Sequence, residues 1–130
     1  MTAKKSKFTY MKPKDIVLEF YKSDVILDKK TVSELMHPDV TIDWNSSKGF
    51  IQMNFEDILA LTDELAKAYI RSKIRISHIL QENDLVSLRY SHFVKTVENP
   101  REDMLLGNFF VIWEVKDGKL FKGFQMSHIS

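Results

Sequence analysis

At 130 residues and 44% apolar composition, the chain is long enough for one domain with an ordinary hydrophobic core and too short for two. Nineteen basic against eighteen acidic residues leave a formal charge of +1, so the overall balance gives no support to a nucleic-acid-binding surface. The absence of cysteine excludes disulfides, thiolate zinc sites and a thiol nucleophile.

No segment approaches the roughly 18 apolar residues of a membrane span, and no apolar run follows the N-terminal lysines as in a secretory leader. The expectation is a cytoplasmic protein with no membrane partner. Lys4, Lys5, Lys7, Lys12 and Lys14 make the start basic, and residues 1–12 are read as a solvated, flexible arm before a single domain over 13–130.

Pro13 suits a helix's first turn, and Ile16, Val17, Phe20, Tyr21 and Leu27 recur at helical spacing, which predicts a first helix over 14–27. Asp28 caps a short second helix through Met36, and His37-Pro38 closes it. Val40 to Trp44 alternates with period two, with Val40, Ile42 and Trp44 on one face. Asn45 to Gly49 has turn chemistry, and Phe50 to Met53 is a second short strand. Asn54 caps a third helix with Glu56 and Asp57 in its first turn and an inward stripe of Ile58, Leu61, Leu65, Ala68 and Tyr69.

After Ser72 the period is two to the end of the chain. Ile74, Ile76, His78 and Leu80 form one inward set, and Val86, Leu88, Tyr90, His92 and Val94 the next. Met104 to Ser130 divides at Asp117-Gly118, a pair suited to a two-residue type I′ turn, so Lys116 faces Lys119. That register puts Phe109, Val111, Trp113 and Val115 on the core face opposite Met126, Phe124, Lys122 and Leu120, with His128 opposite Gly107. Phe110, Ile112 and Phe121 then lie on the other face. Since core sides must match between strands, the loop at Asn83-Asp84 is expected to be odd in length and the one around Asn99 to Glu102 even.

Two helices, a short strand pair, a third helix and a long meander resemble the nuclear transport factor 2-like superfamily, and within it the SnoaL-like proteins. The residues that carry the resemblance are His37-Pro38-Asp39-Val40-Thr41-Ile42-Asp43-Trp44, the helix beginning near Asn54, and Phe110 through Leu120. The resemblance implies an α+β, cystatin-like fold in which a curved antiparallel sheet packs against three helices as a cone with an interior pocket. It does not select an activity, because the fold hosts isomerases, dehydratases, cyclases, hydrolases and binding domains. Alignment with the ketosteroid isomerase branch places its catalytic acid at Trp44 and its oxyanion-hole acid near Val111. Both departures argue against that mechanism.

The candidate ligand-binding residues are the polar or aromatic groups of the inner face: Trp44, Tyr90, His92, Phe109, His128 and, from the first helix, Tyr21. His92 shares a row with Phe109 and Met126, and Gly107 opens space beside His128. The expected ligand is a small apolar or aromatic molecule, oriented by His92 or Tyr90. The alternative is a small enzyme of isomerase, dehydratase or cyclase type with His92 as base and Tyr90 as acid. A further alternative is a protein-interaction domain using the outer sheet face. No cofactor is expected and no metal, since no two histidines have ligand spacing. A homodimer through the outer face is expected from the Phe110, Ile112 and Phe121 patch and from the pairing common among the proteins it resembles.

Overall fold

A computed structural model describes residues 11–129, and most of the expected basic arm lies outside them. Helix α1 (Pro13–Phe20) is followed by a 3-10 turn (Val25–Leu27) and α2 (Lys29–Leu35). Strands β1 (Met36–Ser46) and β2 (Gly49–Asn54) precede α3 (Phe55–Ala68). Strands β3 (Arg71–Glu82), β4 (Leu85–Lys95), β5 (Met104–Lys116) and β6 (Lys119–Ile129) complete one six-stranded sheet in the order β2-β1-β6-β5-β4-β3. All neighbours are antiparallel except β1 and β6, so the sheet is mixed and not wholly antiparallel. The architecture is α+β, with the helices on one sheet face.

The first helix stops a full turn and more before Leu27. Asp24 adopts a left-handed conformation (φ 67°), which aspartate tolerates. Its N–H donates to the Ser72 carbonyl at 2.9 Å, and its carboxylate accepts the Ser72 N–H at 2.8 Å. This two-way clip to the start of β3 replaces the hydrogen bonds that a continuing helix would have made. The other two caps follow the sequence. Asp28 accepts from the Thr31 N–H, and Asn54 and Asp57 form a reciprocal capping box. On α3, Ile58 and Thr62 are the most buried residues, Leu61 and Leu65 are half-buried, and Ala68 is exposed, contrary to its place in the expected stripe.

Strand β4 keeps one parity throughout: Val86, Leu88, Tyr90, His92 and Val94 are all buried. Its neighbours do not. The turn between β3 and β4 is the two-residue Asn83-Asp84, and the odd residue sits inside β3, where Ile76 pairs with Tyr90 but His78 with Arg89. Ser77 is thus a bulge, Ile79 takes the inward position, and His78 and Leu80 turn outward, Leu80 to 72% exposure. A bulge at Leu106 sets His92 opposite Gly107 and Tyr90 opposite Phe109, so His92 does not share a row with Phe109.

The third bulge overturns part of the hairpin register. Lys116 pairs with Lys119 and Val115 with Leu120 as expected, and Asp117 and Gly118 both have positive φ. Beyond Phe121 the pairs become Glu114 with Lys122 and Trp113 with Gly123. Phe124, Met126 and His128 therefore face outward, and Gly123, Gln125, Ser127 and Ile129 inward. Packing explains the slip: the unbulged register would bury Lys122 beneath Trp113. The bulge exposes Lys122 and seats the indole on a glycine instead. A Cβ at Gly123 would lie 2.8 Å from the Trp113 ring, and Trp113 is 1% exposed with Phe20 and Tyr21 packed on it. Gly123→Ala is accordingly expected to destabilise the fold by about 1–3 kcal/mol, through overpacking. Urea unfolding checks this, and an unchanged midpoint contradicts the packing account.

Candidate functional site

Helix α1 packs against β3, β4 and β6, while α3 packs against β1 and β2. Between them the inner sheet face encloses a cavity of about 400 Å³. Its walls are Phe20, Tyr21 and Ile26 from the N-terminal segment, Ile58, Leu61 and Leu65 from α3, and Ile42, Trp44, Ile74, Tyr90, His92, Phe109, Trp113 and Gln125 from the sheet. The β1–β2 turn, through Ser46, Lys48 and Gly49, lines it too. A volume of this size accommodates a small organic ligand.

The aromatic wall is continuous. Tyr90 stacks on Phe109 at 4.9 Å with 9° between the planes, and Tyr21 lies 4.7 Å from Tyr90. Alternation along β4 and β5 brings Tyr90 and Phe109 to one face as direct partners, and α1 ends with Tyr21 over them. The Trp113 indole N–H donates to the Tyr21 hydroxyl at 2.9 Å. Burial pushes the Tyr21 phenol up to about 12, against the Trp113 hydrogen bond that acts the other way. Burial also holds Tyr90 well above its ordinary value, and the neighbouring Tyr21 adds to this. Both phenols therefore keep their protons near neutral pH.

His92 is 6% exposed, and burial pulls its imidazole down to about 4, so the ring is neutral near pH 7. Its Nε2 lies 2.7 Å from the Ser72 hydroxyl. Ser72 is itself the residue clipped to Asp24, so the segment after α1, the start of β3 and the cavity wall are joined through one residue, by its backbone to Asp24 and by its hydroxyl to His92. On the opposite flank, the Trp44 indole donates to the Ser127 hydroxyl at 2.7 Å. Among the described residues neither Asp nor Glu lines the cavity, and Lys48 is the one charged residue that does. Among the described residues no three metal-ligating side chains come together.

Five of the six expected site residues, Tyr21, Trp44, Tyr90, His92 and Phe109, share this cavity. His128 does not. It pairs with Asn108 on the outward parity and is exposed, because the Phe121 bulge reverses the face of β6 before the chain reaches it. Gly107 is partnered by His92 and Ile129 instead, and a Cβ there would lie 2.9 Å from the His128 carbonyl oxygen. Ser46, Lys48, Trp113 and Gln125 are polar lining residues that sequence reading missed, and Ser72 holds His92 from outside the lining. Trp113 could have been found, since a buried indole N–H needs an acceptor and Tyr21 is an inward hydroxyl.

The outer sheet face carries a second, open concavity of about 720 Å³. Phe110, Ile112, Phe124, Met126 and Leu80 form its apolar floor and are 46–72% exposed. Phe121, expected in this patch, is elsewhere: it is half-buried against His37 at 4.9 Å, with the Lys116 and Lys122 ammonium groups over its ring.

Comparison with protein-family models and with curated proteins gives no match. Solved structures do match along most of the chain. IdmH from Streptomyces antibioticus, a candidate polyketide cyclase, is 19% identical with a TM-score of 0.69, over 89% of this chain and 91% of that one. A candidate SnoaL-like polyketide cyclase from Jannaschia sp. CCS1 is 13% identical with a TM-score of 0.66, over 97% and 91%. An LEH-like epoxide hydrolase of M. tuberculosis is 14% identical with a TM-score of 0.68, over 88% and 81%. At these identities the likeness shows the fold, which is the SnoaL-like, ketosteroid isomerase-like α+β fold that the sequence resembles.

Proposed function

We propose that the protein binds a small, largely apolar molecule with a hydrogen-bond-accepting oxygen, such as a ketone, in the enclosed cavity. The observation that carries this reading is the state of the Tyr21 hydroxyl. It accepts from the Trp113 N–H, which leaves its own proton to donate. Burial keeps that proton on the oxygen near neutral pH. A lining without carboxylates among the described residues, and with a preset donor, disfavours cations and suits a carbonyl oxygen. Trp44, Phe109, Tyr90 and His92 supply the surrounding wall. Extraction of the purified protein and mass spectrometry of what co-purifies tests the reading: a carbonyl-bearing apolar molecule supports it, and a cationic or strongly polar one contradicts it.

The catalytic alternative has one specific observation in its favour. A phenol that donates to a carbonyl would acidify the carbon beside it, and neutral His92 on the same wall could accept a proton from that carbon, as cyclase or isomerase chemistry requires. Tyr21 is the acid in this version, because the Trp113 N–H fixes its oxygen as an acceptor and leaves its proton to donate. The polyketide cyclase assignments of two structural neighbours are compatible with it, polyketides being rich in ketones. The low basicity of His92 weighs for binding over turnover. Absence of a membrane-spanning helix among the described residues is compatible with the cytoplasmic location that this reading assumes.

We infer also that a second copy covers the outer face. The concavity there has Asp43 and Asn45 on β1 at one side and Arg89 on β4 and His78 on β3 at the other, with β6 and β5 between. A two-fold axis running along the β5–β6 boundary sets β1 of one copy over β4 of the other, so Asp43 comes within reach of Arg89 across the apolar floor. Light scattering at micromolar concentration is expected to give a dimer mass that Phe110→Asp reduces to a monomer. A monomeric parent protein contradicts the inference.

A further inference from the structure

Lys48 stands at the mouth of the cavity as its one charged lining residue among the described residues. The β1–β2 turn holds it there: the Lys48 N–H donates to the Ser46 hydroxyl at 3.1 Å, and Gly49 turns the chain with φ 107°. Behind it lie Trp44, Ile51 and Met53, so an anion paired with the ammonium would have its apolar remainder directed at the aromatic wall. The lysine and arginine ion pairs among the described residues engage Lys22, Lys29, Arg71 and Lys95, and Lys48 has no part in them. An unpaired cation beside an enclosed apolar volume, with no carboxylate on the lining to neutralise it, attracts one kind of ligand.

We propose that the cavity selects an amphipathic acid: a molecule whose apolar body fills the interior and whose single anionic oxygen group, carboxylate or similar, is held at the mouth by Lys48. The proposal rests on the cavity being the binding site and adds the charge class of its ligand. Attraction at an exposed rim is modest and salt-sensitive, so Lys48 discriminates between acids and their neutral counterparts while the interior supplies most of the affinity.

Two probes with matched bodies separate the effects: anilinonaphthalene sulfonate, which carries one anionic group, and phenylnaphthylamine, which carries none. Both of the chain's tryptophans, Trp44 and Trp113, line the cavity, so quenching of intrinsic emission reports occupancy there. Lys48→Met is expected to weaken the sulfonate by about five-fold, near the upper end for a partly exposed ion pair. Phenylnaphthylamine affinity should be unchanged. Lys30→Met, an equal change of net charge at an exposed site on α2, should affect neither. Equal effects of the two lysine variants, or a Lys48 effect on both probes, overturns the proposal and leaves the cavity reading standing. If neither probe quenches the parent protein, the cavity reading falls and the proposal with it.

Discussion

His92→Gln is expected to remove about 3 kcal/mol of acid sensitivity from the folding equilibrium. In the folded protein the imidazole sits at about 4, pulled down by burial from the ordinary 6.5. The unfolded chain therefore binds a proton below pH 6.5 that the folded chain refuses until about pH 4. Stability conferred by the neutral ring is fully present above 6.5 and is lost as pH falls through that window, after which the two states titrate alike. A gap of 2.5 units at 1.36 kcal/mol each gives about 3 kcal/mol. Glutamine does not titrate, so the variant lacks this loss, although at pH 7 it is less stable wherever its amide fails to replace the 2.7 Å contact with Ser72. Urea unfolding at pH 7 and pH 4.5 measures the difference. His37, His78 and His128 are present in both proteins, and the comparison cancels them. Identical pH dependence in parent and variant contradicts a buried neutral His92.

How much of this site is legible in the residues depends on where the sheet keeps its register. Strand β4 is unbroken on its inward side, and its pattern places Tyr90 and His92 correctly with no other information. The bulged strands β3 and β6 deceive a strict period of two. In Ile76-Ser77-His78-Ile79-Leu80 the inward choice between Ile79 and Leu80 is degenerate, because both are aliphatic and one bulge exchanges them. The β6 slip had a visible sign: the unbulged register buries Lys122 against Trp113, which no partner compensates, while Gly123 stands one residue on. That conflict between a buried lysine and a nearby glycine locates the bulge and moves His128 to the outer face. The hydrogen bonds Ser72 to His92 and Trp113 to Tyr21 join residues 20 and 92 positions apart in the chain, and local pattern carries no information on them.

Tyr21→Phe has the second large expected effect, because the hydroxyl serves protein and ligand together. Without it the Trp113 N–H, buried with its ring, loses its acceptor, and the fold is expected to lose about 1–3 kcal/mol. Cavity shape is nearly conserved, since only one oxygen is removed. Apolar affinity should therefore survive the substitution, and the preference for an accepting oxygen should not.

Acetylnaphthalene and ethylnaphthalene have nearly the same shape and differ in a carbonyl oxygen. Their dissociation constants, read from quenching of Trp44 and Trp113 in the parent protein and in Tyr21→Phe, test the ketone-binding site directly. The account predicts that the parent protein prefers the ketone by about ten-fold, the value of one well-made buried hydrogen bond, and that the variant binds both alike. Equal affinities in the parent protein, or a ketone preference that persists in Tyr21→Phe, would contradict it.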